Sequence, residues 1–324
     1  KNKAQGRRPS LYLWQTCRNT GTQSMKPDAA ASRKVVRPQL SMIIAAVFFW
    51  VCVPVNGVCK RLQFTIKLAD VTINIDHRYP YVYQACRTFE IPLSKEPDFT
   101  VSATDERIRN EFEAWEEIFH CTLDFDRWKG RCESDSLITS ICDRMPFYDM
   151  FLMHAAVVAV DGVAYIFTAP SGTGKTTHTM LWKKHFGDRA VIVNGDKPLI
   201  RLQDGKVYVC STPWKGKEEL GLGPGAMFPV GGICIIEQNP ENHIRRLSVS
   251  EASRHIFRQV HLSRNNEETF TRFWRLLDQM MTSADFYLLQ CNREPEASRL
   301  SYLTMRRKQN AENQKGISAA PSGR

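Results

Sequence analysis

Alternating apolar and polar residues mark the first regular segment of the chain, the stretch LQFTIKLADVTINIDH. Apolar side chains occupy every second position of two short runs, at Phe64, Ile66, Leu68, Val71, Ile73 and Ile75. Side chains of a β-strand point alternately to opposite faces, so this spacing predicts two strands. The short gap between them predicts a hairpin.

Helical spacing follows in two segments. DERIRNEFEAWEEIF has apolar residues on one face and charges on the other, and in SDSLITSICDRM either Ser134 or Asp135 is the predicted helix cap. Two later segments, LSVSEASRHIFRQV and ETFTRFWRLLDQMM, are also predicted helices.

Most of the remaining apolar runs are short and bounded by turn residues, which is typical of strands. HAAVVAVDGVAYIFTAP contains Asp161-Gly162, a strong hairpin turn signal. AVIVNGDKPLIRLQDGKVYVCST adds strands separated by turns at Gly195-Asp196 and Asp204-Gly205. GGICIIEQ and FYLLQC complete the set of predicted strands, which alternate with the helices and so indicate an α/β protein.

The stretch YIFTAPSGTGKTTHTMLWKK nearly matches G-x-x-x-x-G-K-[ST], the pattern of a phosphate-binding loop between a strand and a helix. The helix is predicted over 175–186, ending at Gly187. Ala169 stands where the pattern has its first glycine. That position needs only a negative φ and a small side chain, so alanine in place of glycine should alter the loop little. The alternative is a purely structural glycine-rich turn.

The residues of this loop suit a nucleotide. Gly172 and Gly174 allow backbone N–H groups to turn toward phosphate oxygens. Lys175 can reach the β- and γ-phosphates of ATP, and the Thr176 hydroxyl can ligate Mg²⁺. The predicted nucleotide-binding residues are Ser171, Gly172, Thr173, Gly174, Lys175, Thr176 and Thr177.

Five further residues are candidates for chemistry. Asp196, at a strand end about 20 residues after Lys175, can hold Mg²⁺ or accept a proton, unless it is a simple turn aspartate. His154 begins the hairpin that precedes the loop, so it is predicted to lie near the loop or to be structural. The glycine-rich segment STPWKGKEELGLGPG supplies lysines that could bind an anionic substrate or form a solvated rim. The substrate candidates are Lys215 and Lys217 of this segment, together with Lys197, which follows Asp196.

Charge and cysteine content narrow the function classes. The net charge is +10, but residues 1–39 carry +8 and residues 299–324 carry +5, which leaves −3 on residues 40–298. Nucleic-acid binding requires a basic face within the folded body, so this distribution argues against it. The ten cysteines include no C-x-x-C pair or metal-ligand spacing, and they favour a reducing, cytoplasmic setting.

The apolar segment 42–55 complicates that localisation. Its uninterrupted apolar run is shorter than the roughly 20 residues of a spanning helix, and a poor cleavage site follows it. Three interpretations remain: a signal or anchor that would export the protein or tether it to a membrane, a buried helix, or part of an extraneous, disordered extension over 1–60. We favour the extension. A second disordered tail is predicted over 306–324.

The segments HAAVVAVDGVAYIFTAPSGTGKTT, VNGDKP and STPWKGKEELG together resemble the catalytic domain of HPr kinase/phosphorylase and its relatives. The resemblance implies an α/β P-loop fold like that of phosphoenolpyruvate carboxykinase, a mixed sheet with flanking helices. It covers roughly 150–298, so we assign 150–305 to a kinase-like domain and 61–149 to a small α+β region.

The resemblance also implies roles. It makes Lys175 and Thr176 the nucleotide and Mg²⁺ ligands, Asp196 the catalytic acid and metal ligand, and His154 a neighbour of the reacting phosphate. The family often has two adjacent acids where this chain has Gly195-Asp196. One of the two roles, proton acceptor or metal ligand, is therefore vacant or filled by another residue. The carboxyl-terminal signature for recognising HPr is absent, which argues against HPr as acceptor.

The predicted activity is transfer of the γ-phosphoryl group of ATP, with Mg²⁺, to a hydroxyl of a small molecule or peptide. One alternative is a nucleotide-binding sensor or ATPase, and another is a carboxykinase-like lyase. The sequence is compatible with a homo-oligomer.

Overall fold

The computed structural model describes residues 62–92, 96–261 and 266–318, with side chains described as far as Arg306. The predicted extension over 1–60, including the apolar segment 42–55, lies outside the described residues. Within the described ranges, none of the helices is both long and apolar enough to cross a membrane.

A three-stranded sheet comes first. Strands β1 (Leu62–Leu68) and β2 (Val71–His77) pair in antiparallel fashion, and the six alternating apolar side chains are all buried, which confirms the predicted hairpin. Helix α1 (Pro80–Cys86) follows, and β3 (Phe99–Ser102) adds to β2 in parallel.

Two helices cover this sheet. Helix α2 (Asp105–Phe119) is confirmed, and the Thr104 hydroxyl caps it. Helix α3 (Phe125–Arg144) begins well before the predicted caps Ser134 and Asp135, which are interior to it, so that prediction is wrong.

The first two turns of α3, which lie before the predicted caps, pack against helix α1. Asp124 accepts a hydrogen bond at its start, and Gly130 passes so close to α1 that an added Cβ would lie 2.8 Å from Tyr81 Cβ. Phe125 and Trp128 are the apolar residues of these turns, three positions apart, and both pack against the core.

A larger mixed sheet follows, with helices on both sides. Its strands are β4 (Met150–Leu152), β5 (Ala156–Val160), β6 (Val163–Thr168), β7 (Ala190–Asn194), β8 (Leu199–Gln203), β9 (Lys206–Cys210), β10 (Met227–Gln238), β11 (His243–Leu247) and β12 (Phe286–Cys291). Their order among the described residues is β4-β8-β9-β10-β6-β5-β7, and β12 pairs with both β10 and β11.

Strand β10 joins two parts of this sheet. Its first residues pair with β9 in antiparallel fashion, and the rest pair in parallel with β6 on one side and β12 on the other. The register shifts between Val230 and Gly232, where the partner changes. The hairpin of β5 and β6 turns at Asp161 and Gly162, which have φ values of 52° and 82°, so the predicted hairpin is confirmed.

Helices α4 (Lys175–Phe186) and α7 (Pro295–Ser318) pack together on one face of the sheet, where Trp182 and Met305 are fully buried. Helices α5 (Val249–Ile256) and α6 (Glu267–Ser283) bury their apolar stripes on the other face. Burial of each large apolar side chain contributes about 2 kcal/mol. Helix α7 continues through residues 306–318, where the sequence pattern predicts a disordered tail.

The core of the three-stranded sheet is continuous with part of the larger sheet. Leu152 of β4, Leu199 of β8, Cys210 of β9 and Trp214 pack in the same apolar cluster as β1 and β2. The amino-terminal region therefore rests against the strands that lead into the lysine-containing segment.

Candidate functional site

Residues 170–174, PSGTG, form a tight glycine-rich loop between β6 and α4. Gly172 and Gly174 have φ values of 80° and 114°, in the left-handed region that side chains with a Cβ rarely adopt. No atom lies within 4 Å of a Cβ built at either glycine, so the backbone conformation alone requires glycine there. Ala169 is not among the residues with positive φ, as expected for its replacement of the first glycine.

Lys175 begins α4 and lies beneath this loop. Its side chain is buried, and Nζ donates a hydrogen bond to the carbonyl of Ala169 at 3.0 Å. Burial lowers the pKa of Lys175 to about 8, against the opposing attraction of Asp196. Such a poorly solvated ammonium gains strongly from an anion.

The carboxylate of Asp196 contacts two basic side chains. Lys197 Nζ lies 2.7 Å from Oδ2, and His154 Nε2 lies 3.4 Å from Oδ1. On its other side, His154 Nδ1 lies 2.9 Å from Gln259 Oε1. The structure thus brings together Asp196, His154 and Lys197, next to Lys175.

Burial and charge act in opposite directions within this group. Burial alone would raise the pKa of Asp196, but Lys197 and His154 outweigh it and hold that pKa well below its usual value. Burial lowers the pKa of His154, and the repulsion of Lys175 adds to this, while Asp196 opposes it. At neutral pH the site therefore contains an ionised carboxylate beside a neutral imidazole.

Asn194 fixes the turn that presents Asp196. Its Oδ1 accepts hydrogen bonds from the backbone N–H groups of Asp196 and Lys197, both at 2.9 Å. Its Nδ2 donates to the carbonyl and hydroxyl oxygens of Thr212, both at 3.1 Å. Asn194 is fully buried, so one amide links β7, the Asp196 turn and the start of the lysine-containing segment.

The segment after β9 lies on this turn. The carbonyl of Trp214 accepts a hydrogen bond from the Lys197 backbone N–H, and a Cβ added to Gly216 would lie 3.1 Å from Asp196 Cβ. Lys215 is half-buried, and its Nζ lies 5.5 Å from the centre of the Phe89 ring. Of the three predicted substrate lysines, Lys197 is the one with an ion pair to Asp196 in the described structure, and Lys217 is exposed.

Gly195 has no room for a side chain. A Cβ at this position would lie 2.5 Å from the Lys215 carbonyl oxygen and 3.2 Å from that of Leu220. Both obstacles are backbone atoms, which cannot rotate away. The same crowding explains why this chain has glycine, and not a second acid, before Asp196.

We expect Gly195→Ala to lower the free energy of unfolding by about 1–3 kcal/mol, the usual cost of overpacking. Urea denaturation measures the change. Gly223→Ala is the matched control, because its added Cβ meets no atom within 4 Å. Equal midpoints for the two variants would show that the turn relaxes freely and that glycine is not required.

Sequence reasoning missed four residues of the site, which are Asn194, Thr212, Gln259 and His261. The backbone N–H of His154 donates to the Gln259 carbonyl at 2.6 Å, and that of His261 donates to the Leu152 carbonyl at 3.0 Å. Burial lowers the pKa of His261 well below its usual value, with Lys197 and His154 adding to this. The available signal was weak, a polar residue on each side of Val260 just after a helix.

Comparison with known proteins gives similarities to solved structures but none in sequence. No protein-family model matches the chain, and no curated protein matches it in sequence. Among solved structures, the Hpr(Ser) kinase/phosphatase from Coxiella burnetii matches with a TM-score of 0.33 and 10% sequence identity. The match covers 52% of this chain and 99% of that one.

Proposed function

We propose that this protein transfers the γ-phosphoryl group of ATP to a hydroxyl of a small molecule or peptide, as the resemblance to HPr kinase/phosphorylase implies. One observation carries the proposal. An ionised carboxylate, Asp196, is held between His154 and Lys197 next to Lys175, the cation of the glycine-rich loop. A purely structural turn has no need of these charges together in a largely buried position.

The donor atoms fit Mg²⁺. Asp196 offers a carboxylate, and Thr176 offers a hydroxyl at the start of α4. In the described part of the chain, no cluster of three or more His, Cys, Asp or Glu residues could hold a metal by itself. Mg²⁺ characteristically keeps several water and phosphate ligands and needs only one or two protein groups. When bound, it would neutralise charge on the phosphates.

The remaining roles follow from charge. Lys175 would stabilise the transferring phosphoryl group, and the loop N–H groups would hold the phosphates in place. The ring of His154 lies between Gln259 and Asp196, and the ring nitrogen that carries the proton decides its role. With the proton on Nε2, His154 donates to Asp196, and this carboxylate receives the proton of the attacking hydroxyl. With the proton on Nδ1, Nε2 of His154 receives that proton, and Asp196 stabilises the imidazolium that forms.

An ATP-dependent sensor or ATPase is the rival function. The crowding at Gly195 favours it, because it excludes the second acid that relatives often have at this turn. Phosphorus NMR with a panel of hydroxyl compounds tests both functions. A phosphorylated acceptor supports the kinase, phosphate release alone supports the rival, and dependence on CO₂ would instead indicate a carboxykinase-like lyase.

Binding of MgATP should weaken as the pH rises above about 8. The pKa of Lys175 is about 8 in the free protein. Phosphate oxygens beside the ammonium would raise that pKa, so binding takes up a proton above pH 8 and becomes less favourable. Calorimetric titration between pH 7 and 9.5 measures this dependence. Lys175→Arg, which stays charged throughout, should remove it, and an unchanged pH profile in that variant would contradict the assignment.

A further inference from the structure

Gln259 lies opposite His154 in a short antiparallel pairing of two chain segments. Met153 and Val260 form the central pair. The backbone N–H of His154 donates to the carbonyl of Gln259 at 2.6 Å. Residues directly opposite each other in such a pairing have their side chains on the same side. The backbone therefore holds the Gln259 amide beside the imidazole of His154.

The two side chains also contact each other. Nδ1 of His154 lies 2.9 Å from Oε1 of Gln259, a normal hydrogen-bond distance. The oxygen of an amide accepts hydrogen bonds and cannot donate one, so the ring nitrogen that faces it carries the proton. Both residues are buried, at 4% and 7% exposure, so water does not compete for this contact.

The distance on the other side of the ring agrees with this placement of the proton. Nε2 of His154 lies 3.4 Å from Oδ1 of Asp196. An N–H group that donates to a carboxylate normally lies about 2.7–2.9 Å from the oxygen, so the longer distance fits an Nε2 without a proton. The charge of the carboxylate is met at its other oxygen, where Lys197 Nζ lies 2.7 Å from Oδ2.

We propose that Gln259 is a positioning residue for phosphoryl transfer: its amide oxygen keeps the proton of His154 on Nδ1, so that Nε2 receives the proton of the attacking hydroxyl. The inference rests on the proposed function. A neutral imidazole has one ring proton, and only the nitrogen without it can act as a base. A proton that arrives at Nε2 would face Asp196, whose carboxylate stabilises the imidazolium. Gln259 thereby selects His154 over Asp196 as the proton acceptor.

The position of the ring proton can be measured without nucleotide. Nitrogen NMR of protein labelled in its histidine rings, at a pH well above the pKa of free imidazole, distinguishes a protonated from an unprotonated ring nitrogen. A spectrum of His154→Gln identifies the signals of this ring among the eight histidines. The parent should have the proton on Nδ1. Gln259→Met, whose sulfur accepts hydrogen bonds only weakly, should move it to Nε2, beside Asp196.

Gln259→Glu separates the two orientations of the amide, because a carboxylate can only accept. It should keep the proton on Nδ1, as in the parent. Gln279→Met, the same substitution at an exposed position of α6, is the control and should leave the spectrum of His154 unchanged. Thermal melting checks that each variant folds, and the parent and Gln259→Glu spectra decide the assignment even if Gln259→Met does not.

A rate measurement tests the role in transfer. In single-turnover transfer from MgATP to water, or to a compound of the hydroxyl panel that is phosphorylated, Gln259→Met should lower the rate at least about tenfold, part of what a positioned base contributes. Its affinity for MgATP should change less than about twofold, because Gln259 contacts the base and not the phosphate loop.

A proton on Nε2 in the parent would overturn the proposal, and so would a proton that stays on Nδ1 in Gln259→Met. A moved proton with an unchanged rate would overturn the role of Gln259 in transfer. Parent protein that transfers phosphoryl groups neither to water nor to any compound of the panel would instead overturn the proposed function, and the NMR spectra would still decide which nitrogen carries the proton.

Discussion

Replacing Asp196 by asparagine is expected to reduce phosphoryl transfer by a factor on the order of 10² to 10⁴, the range for loss of a positioned acid–base group. The substitution keeps the size of the side chain but removes the negative charge between His154 and Lys197. Without that charge, a Mg²⁺ ligand and an alternative proton acceptor are both lost. Nucleotide affinity should fall far less, because Lys175 and the loop N–H groups remain.

Single-turnover assays and calorimetry on the same preparations separate the two effects. Asp204→Asn is the control, since Asp204 is an exposed turn residue with a φ of 51°, which asparagine adopts equally well. Measurable turnover in the parent that is unchanged in Asp196→Asn would show that Asp196 is not the catalytic acid, and His154→Gln would be examined next. A sensor would have little turnover to lose and would show an altered ATP-dependent conformation.

Replacing Lys175 by alanine should abolish the thermal stabilisation that MgATP gives. The ammonium is the cation of the loop and is buried at 7% exposure. Its pKa is below that of a free lysine, so in the folded state its charge is destabilising below pH 8, and this cost is relieved as the pH rises toward 10.5. The nucleotide-free variant should therefore be at least as stable as the parent at pH 7.

Differential scanning fluorimetry with and without MgATP measures this loss. Lys184→Ala, at an exposed position of the same helix, should keep the full stabilisation. If Lys175→Ala still gains several degrees with MgATP, the glycine-rich loop is not the nucleotide site. A variant that melts well below the parent without nucleotide would show that the hydrogen bond to Ala169 matters more than the buried charge.

Local patterns account for the parts of the fold that the sequence predicts. The hairpins of β1–β2 and β5–β6 follow from alternation and turn chemistry, and α4 follows from glycines at both of its ends. Each of these signals involves residues close together in the chain. The sequence predicts that His154 lies near the loop or is structural and that Asp196 ends a strand, but it does not predict the contact between the two side chains.

Long-range packing accounts for what the sequence does not show. Gln259 reaches His154 across 105 positions of the chain, through a pairing that no local pattern marks. The early start of α3 depends on its contact with α1, and the need for glycine at position 195 depends on the Lys215 carbonyl. Lys215 Nζ likewise lies 5.5 Å from the centre of the ring of Phe89, a residue of the amino-terminal region that is distant in sequence.

The buried amide of Asn194 also affects how this protein ages. Asn194 directly precedes Gly195, and an asparagine before glycine is readily deamidated because no side chain obstructs attack by the following backbone nitrogen. In the folded protein both polar atoms of the amide are engaged, and the residue is fully shielded from water. A carboxylate formed there could no longer donate to Thr212. Damage at this turn would therefore accumulate with time spent unfolded, and refolding would not repair it.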